Sequence, residues 1–320
     1  MWSHALDLTL ALSPVFLLLA LGRGLAAVRL LPTGGADPLG ALLYWVALPA
    51  RLITEVARTD LRATASPEAI AAGVLSFAAA LVAGWFATGR MTPEERGAAL
   101  NGMARANGAF VGLPVIALAA TTLPASLGGA LTASYATTLT VMVVVFNVGS
   151  VIAYRLPHHG LTWMGLRTAL GELPRNPLIL ACLTGATLAW IQPGLLTGNA
   201  LGQTLDLLGA AAVPLALLTT GAKIDVHLAR ARPLAVGLIT LAKLVLVPLM
   251  TWGLCGAFGA SLPATVAVVV MMACPTAIAA GPMARLLGGD ERLVVAVVVT
   301  STALAPLTLL GWLAVLTGTP

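Results

Sequence analysis

Apolar residues in this chain neither alternate in twos nor keep to one helical stripe. They form long runs separated by short polar punctuation. A helix crossing the hydrocarbon core needs about 20 mostly apolar residues. Ten runs approach that length, at 5–22, 39–57, 68–88, 98–122, 129–154, 176–191, 200–222, 233–257, 263–287 and 293–316. A β-barrel would show period-two alternation, which is absent, and Ala and Leu dominate the runs. The pattern predicts an all-α membrane protein with ten transmembrane helices. The sixth run is short, and the fourth and ninth are interrupted.

Composition narrows the class. The 320 residues are 59% hydrophobic and 9% charged, where a soluble domain carries about 25% charged residues. That excludes a soluble enzyme, a disordered chain and a nucleic-acid-binding domain. The 33 glycines and 20 prolines fit membrane helices. The 17 basic residues are scattered, so the net charge of +5 is not a nucleic-acid footprint. Cys182, Cys255 and Cys274 all lie in apolar runs and suggest neither a disulfide framework nor a metal motif. The first basic residue is Arg23, so the basic start of a signal peptide is missing and the first run is expected to be retained.

Charge placement sets the orientation. The odd-numbered connections hold Arg23, Arg29, Arg90, Arg96, Arg155, Arg167, Arg175, Lys223, Arg230, Arg232, Arg285 and Arg292. The opposite side holds only Arg51, Arg58 and Arg62. The positive-inside rule puts the odd connections in the cytoplasm and both termini outside, in the inner or plasma membrane. The longest connection, Arg155 to Arg175, divides the chain into two five-span halves at 1–155 and 176–320, joined by a cytoplasmic linker at 156–175. Five is odd, so the second half enters the membrane inverted, the geometry of an inverted-repeat transporter.

Candidate chemistry sits where the runs are interrupted. Span 4 carries Asn107, Gly108, Gly112 and Pro114, and span 9 carries Cys274, Pro275, Thr276, Gly281 and Pro282. These are the fourth spans of their halves. Paired interruptions at equivalent places point to a transporter's binding site. Two half-helix N-termini facing the midplane would favour an anion, with Asn107 and Thr276 donating hydrogen bonds. Gly108-x-x-x-Gly112 also matches small-residue helix packing. Arg105 precedes the first break and Lys243 lies in mid-span 8; ionisable groups at such depth are functional candidates. Arg105 is read as attracting the anion, against snorkelling to the interface. Lys243 is read as donating to carbonyls freed at the breaks, replacing a bound cation, against a purely structural donor. No carboxylate sits at a span centre, Asp7 and Asp206 coming nearest, so a cation antiporter is disfavoured. Arg51 and Glu55 are four apart and read as a structural pair at the outer interface. Metalloprotease, nucleophile-elbow and phosphate-loop motifs do not occur, so no catalytic residues, enzyme activity, cofactor or metal are expected. Sodium or proton coupling is not visible.

Several segments together resemble the auxin efflux carrier family in its short bacterial form, over nearly the whole length. They are Pro14-Val-Phe16 with Leu21-Gly22, Tyr44 to Ala50 with Pro49, and Asn107-Gly108 with Gly112-Leu-Pro114. They continue with Asn176-Pro177, Pro214 to Leu217 with Gly221, Lys243 to Pro248, and Pro275-Thr276 through Arg285 to Asp290. The resemblance implies two inverted five-helix repeats with broken crossover helices 4 and 9. It implies a scaffold of spans 1, 2, 6 and 7, and a transport domain of spans 3, 4, 5, 8, 9 and 10 moving elevator-fashion. It also implies a homodimer and an organic-anion substrate, auxin-like or a dicarboxylate such as malate or malonate. The family often carries a second crossover Asn where this chain has Ala279. The competing expectations are a sodium-coupled symporter of the related bile acid superfamily, a membrane receptor that binds the anion without moving it, and, more distantly, an intramembrane enzyme.

Overall fold

A computed structural model describes residues 17–31, 36–58, 66–122, 125–160, 175–192, 194–222 and 232–317, and the single positions 14, 162, 167 and 171. The first half holds α1 (Leu17–Ala27), α2 (Ala36–Leu42, Leu43–Ala47 and Leu48–Ala57 in series), α3 (Pro67–Ala87), α4 (Pro93–Ala104), α5 (Gly108–Gly112 with Leu113–Thr122) and α6 (Ala125–His159). The second holds α7 (Pro177–Ile191), α8 (Ala200–Ala210 with Ala212–Ala222), α9 (Pro233–Leu241, Ala242–Leu246 and Val247–Phe258 in series), α10 (Leu262–Ala273), α11 (Ala280–Leu287) and α12 (Glu291–Thr317). Six of these, α2, α3, α6, α8, α9 and α12, are long and apolar enough to cross a membrane. Helices α1, α7 and α10 are shorter and apolar. The runs expected at 98–122 and 263–287 are each divided, into α4 and α5 and into α10 and α11. The start of the first run, most of the central linker, and Lys223 and Arg230 lie outside the described residues.

Local signals fix the helix starts. Ser66 accepts from Ala69 N ahead of α3, and Asn176 accepts from Leu178 N ahead of α7. Thr92 and Glu95 form a reciprocal capping box on α4. A proline occupies the first turn in all three, where its missing N–H costs nothing.

Three turns are widened to a π-helical pitch: Leu43–Ala47 in α2, Gly108–Gly112 in α5 and Ala242–Leu246 in α9. Each is followed, after one residue, by a proline: Pro49, Pro114 and Pro248. A proline ring clashes with the carbonyl four residues back and offers it no donor. Widening the preceding turn relieves the clash and leaves the carbonyl to another partner. For Pro248 that carbonyl is Leu244 O, and Trp312 Nε1 of α12 donates to it at 2.9 Å.

Two packing groups result. Helix α2 packs chiefly on α7 and α8, while α3, α4, α6, α9, α10 and α12 pack among themselves. Gly209 lets α8 close on α2, since a Cβ there would stand 3.0 Å from Arg51 Cα. At the end of α2 the Arg58 guanidinium meets Asp206 of α8 through two hydrogen bonds of 2.8 Å, which raise Arg58 above the ordinary arginine range.

Candidate functional site

Helix α10 stops for a local reason. Cys274 precedes Pro275, and the residue before a proline is forced out of the helical region; its ψ is 148°. Helix α4 has no proline at its end. Arg105 is extended there, with ψ of 120°, because the chain turns to pair with the other break. Asn107 N donates to Pro275 O at 2.8 Å and Ala277 N donates to Arg105 O at 3.3 Å. Ala106 and Thr276 thus form an antiparallel bridge, and no strand occurs among the described residues. Thr276 Oγ1 donates to Gly102 O at 2.7 Å, and Thr276 N donates to Ser301 Oγ at 3.2 Å. The two unwound segments therefore satisfy much of each other's backbone, as hydrocarbon surroundings demand.

Beside this bridge opens a cleft of about 560 Å³, counted out to its mouth. Its walls are Leu48, Arg51, Leu52 and Glu55 of α2, residues 105–110 of the first break, Leu139, Val143, Phe146 and Asn147 of α6, and residues 277–279 of the second break. The residues at the start of α5 and just ahead of α11 face it, where helix N–H groups lack intrahelical acceptors.

Arg105 is 8% exposed. Its guanidinium donates to Ser150 Oγ at 2.9 Å and Asn147 Oδ1 at 3.1 Å, and rests 2.9 Å from Met283 Sδ. Asn147 Nδ2 donates to Val143 O and Ser150 Oγ to Phe146 O, which turns an acceptor of each toward the arginine. Every one of these partners is neutral, so the cleft wall keeps a full positive charge. Asn107, 3% exposed, has a side-chain Nδ2 with no acceptor.

The candidates divide by position. Arg105, Asn107 and Gly108 line the cleft. Gly112 instead receives Tyr135, whose hydroxyl donates to Gly108 O at 2.8 Å. Pro114 follows the widened turn of α5. Cys274 and Pro275 belong to the bridge side, and the Thr276 hydroxyl is occupied by Gly102 O. Lys243 is fully buried in the widened turn of α9 and donates to Met272 O at 2.7 Å, at the end of α10. Ala279 lines the cleft.

Sequence reasoning missed Phe110 and Asn147. It paired Arg51 with Glu55; that pair, 2.6 Å apart, stands in the cleft wall, with the guanidinium 4.7 Å from the Phe110 ring centre. The four-residue spacing was visible; the direction of that helix face was not. Among the described residues no cluster could hold a metal ion.

The cleft, with Arg51, Glu55, Arg105 and Asn107 in its walls, opens within an apolar helical body. No curated protein matches the chain. A family model described as membrane transport protein matches residues 158–313, from the end of α6 into α12. That stretch includes the second break and the lysine that meets it. Over this second half the chain is similar to the membrane transport protein family, that of the auxin efflux carriers.

Proposed function

We propose that the protein is a secondary transporter of a small organic anion, held in the cleft between α2 and the two breaks. The observation that carries this reading is Arg105, a buried guanidinium in the cleft wall whose partners are all neutral. An unpaired buried charge is costly, and a carboxylate entering the cleft offsets it. The Asn107 amide and the opening N–H groups of α5 add donors without adding charge.

The same reading orders the helices as two inverted sets of five crossings in the cell membrane, with α4–α5 and α10–α11 as broken crossings and both termini outside. The two packing groups suggest the moving parts: α2, α7 and α8, with α1 packed on α8, form the frame, and the remainder slides against it to alternate access. A homodimer through the frame belongs to this reading. Lys243 already places an ammonium on Met272 O, where a coupling cation would otherwise serve, so flux is expected to be independent of sodium.

Purified protein in proteoliposomes, loaded with labelled malonate, malate or indole-3-acetate, tests the proposal. Arg105→Gln should cut flux of the transported anion about tenfold or more, as expected for loss of a charge-assisted hydrogen bond. Unaltered flux in that variant sinks the reading. Replacing sodium by choline should leave wild-type flux unchanged, and loss of flux would favour the sodium-coupled alternative. Saturable binding of the anions with no flux at all would favour a receptor.

A further inference from the structure

Resting on that reading of the cleft, we propose that Arg51 is a second anion-binding group, paired with Glu55, which an incoming carboxylate displaces. Both residues stand on one face of α2 and both line the cleft, across from the breaks that carry Arg105 and Asn107. The ion pair joins Arg51 Nη2 to Glu55 Oε1 at 2.6 Å. Arg51 Nε is covered and has no acceptor. The guanidinium is therefore underfilled: a carboxylate can take two parallel N–H groups from an arginine, and here the Nε donor is left over. The two side chains are 25% and 31% exposed, which makes the pair accessible from the cleft and weakly held.

Position distinguishes this pair from an ordinary helix-surface one. The Arg51 guanidinium lies over Phe110, in the first turn after the break, so it spans from the unbroken α2 to the start of α5. Gly209 of α8 backs the main chain and Cβ of Arg51 at close range on the far side. The structure thus presents two guanidinium groups and one carboxylate around one cleft. Glu55 acts there as an internal stand-in for the substrate. A carboxylate bound to Arg51 on one wall and to Arg105 or Asn107 on the other bridges the two packing groups, which ties occupancy to their relative position. Arg51 is then a specificity-determining residue. Its flat fork favours a planar carboxylate over a spherical anion such as chloride.

Binding of malonate and indole-3-acetate to detergent-purified protein, followed by thermal shift, tests the assignment together with a readout that needs no ligand. Arg51→Gln should weaken binding of the responding probe about tenfold or more, with Arg51→Lys recovering only part of it. Glu55→Gln should strengthen binding several-fold, and the double variant should behave as Arg51→Gln. In parallel, phenylglyoxal modification of Arg51, read by mass spectrometry, should run several-fold faster in Glu55→Gln than in wild type. Equal weakening by Glu55→Gln and Arg51→Gln makes the pair a structural clamp and overturns the proposal, as does an unchanged rate of Arg51 modification. If wild type binds neither probe, the transport reading loses its support, while the modification rates still decide the role of Glu55.

Discussion

Tyr135 and Gly112 show how tightly single residues define the first break. The tyrosine hydroxyl donates to Gly108 O, and a Cβ at position 112 would fall 1.7 Å from the hydroxyl oxygen of Tyr135. The ring cannot withdraw without stripping the widened turn of its donor. Gly112→Ala should therefore destabilise the protein by about 1–3 kcal/mol, the usual cost of overpacking, read as a lower unfolding temperature in detergent. Combined with Tyr135→Ala the loss should be less than additive, since the second change removes the obstacle. The Gly108-x-x-x-Gly112 spacing announced close packing in the sequence. That Gly112 accepts a tyrosine while Gly108 faces the cleft was not legible, because the partner lies on another helix. Lys243 was legible as a deep charge for the opposite reason: its cost arises from its own location. Its acceptor, Met272 O, follows only from where α10 ends.

At the scale of elements, prolines tell two different stories. Pro275 ends α10 outright, whereas Pro49, Pro114 and Pro248 leave their helices continuous behind a widened turn. In α9 the freed Leu244 carbonyl depends on Trp312. Trp312→Phe should cost about 1–3 kcal/mol by leaving that buried carbonyl unpaired. Pro248→Ala supplies a new N–H in the right register, so the Pro248→Ala, Trp312→Phe double variant should be more stable than Trp312→Phe alone. Chemical unfolding of the three variants checks this, and an equally unstable double variant refutes the donor argument. The second break could be read from Cys274-Pro275 because a local steric rule encodes it. The first could be suspected from its glycines but not located to Arg105, because the pairing that ends α4 reaches across the chain to residue 275. Secondary structure imposed by a distant partner leaves little trace in nearby residues.

At the scale of the whole molecule the sequence yields two expectations, one from charge bias and one from parity. Twelve basic residues on one side against three on the other predict an orientation, and five runs per half predict an inversion. Neither depends on side-chain detail. Which helices gather into which packing group was not legible in the residue pattern, since most of the surfaces involved are equally apolar; only the family resemblance implied a grouping. The three native cysteines are buried, so an introduced thiol reports topology cleanly. Thr197→Cys, in the exposed turn between α7 and α8, should react with a membrane-impermeant maleimide in intact cells. Arg90→Cys, between α3 and α4, should react only after lysis. The reverse pattern would invert the orientation and place both termini in the cytosol.

The tie between the two breaks is made largely of main chain. Asn107 N on Pro275 O, and Ala277 N on Arg105 O, involve atoms that every amino acid carries. Mutation can hardly erase such a seam, short of placing a proline at one of its donors. Side chains beside it, Asn107 and Ala279 among them, are left to change with little risk to the join. A protein fastened in this way can exchange one cargo for another by altering a few wall residues. Ala279 would be the first position to examine when asking how such a carrier acquired its taste.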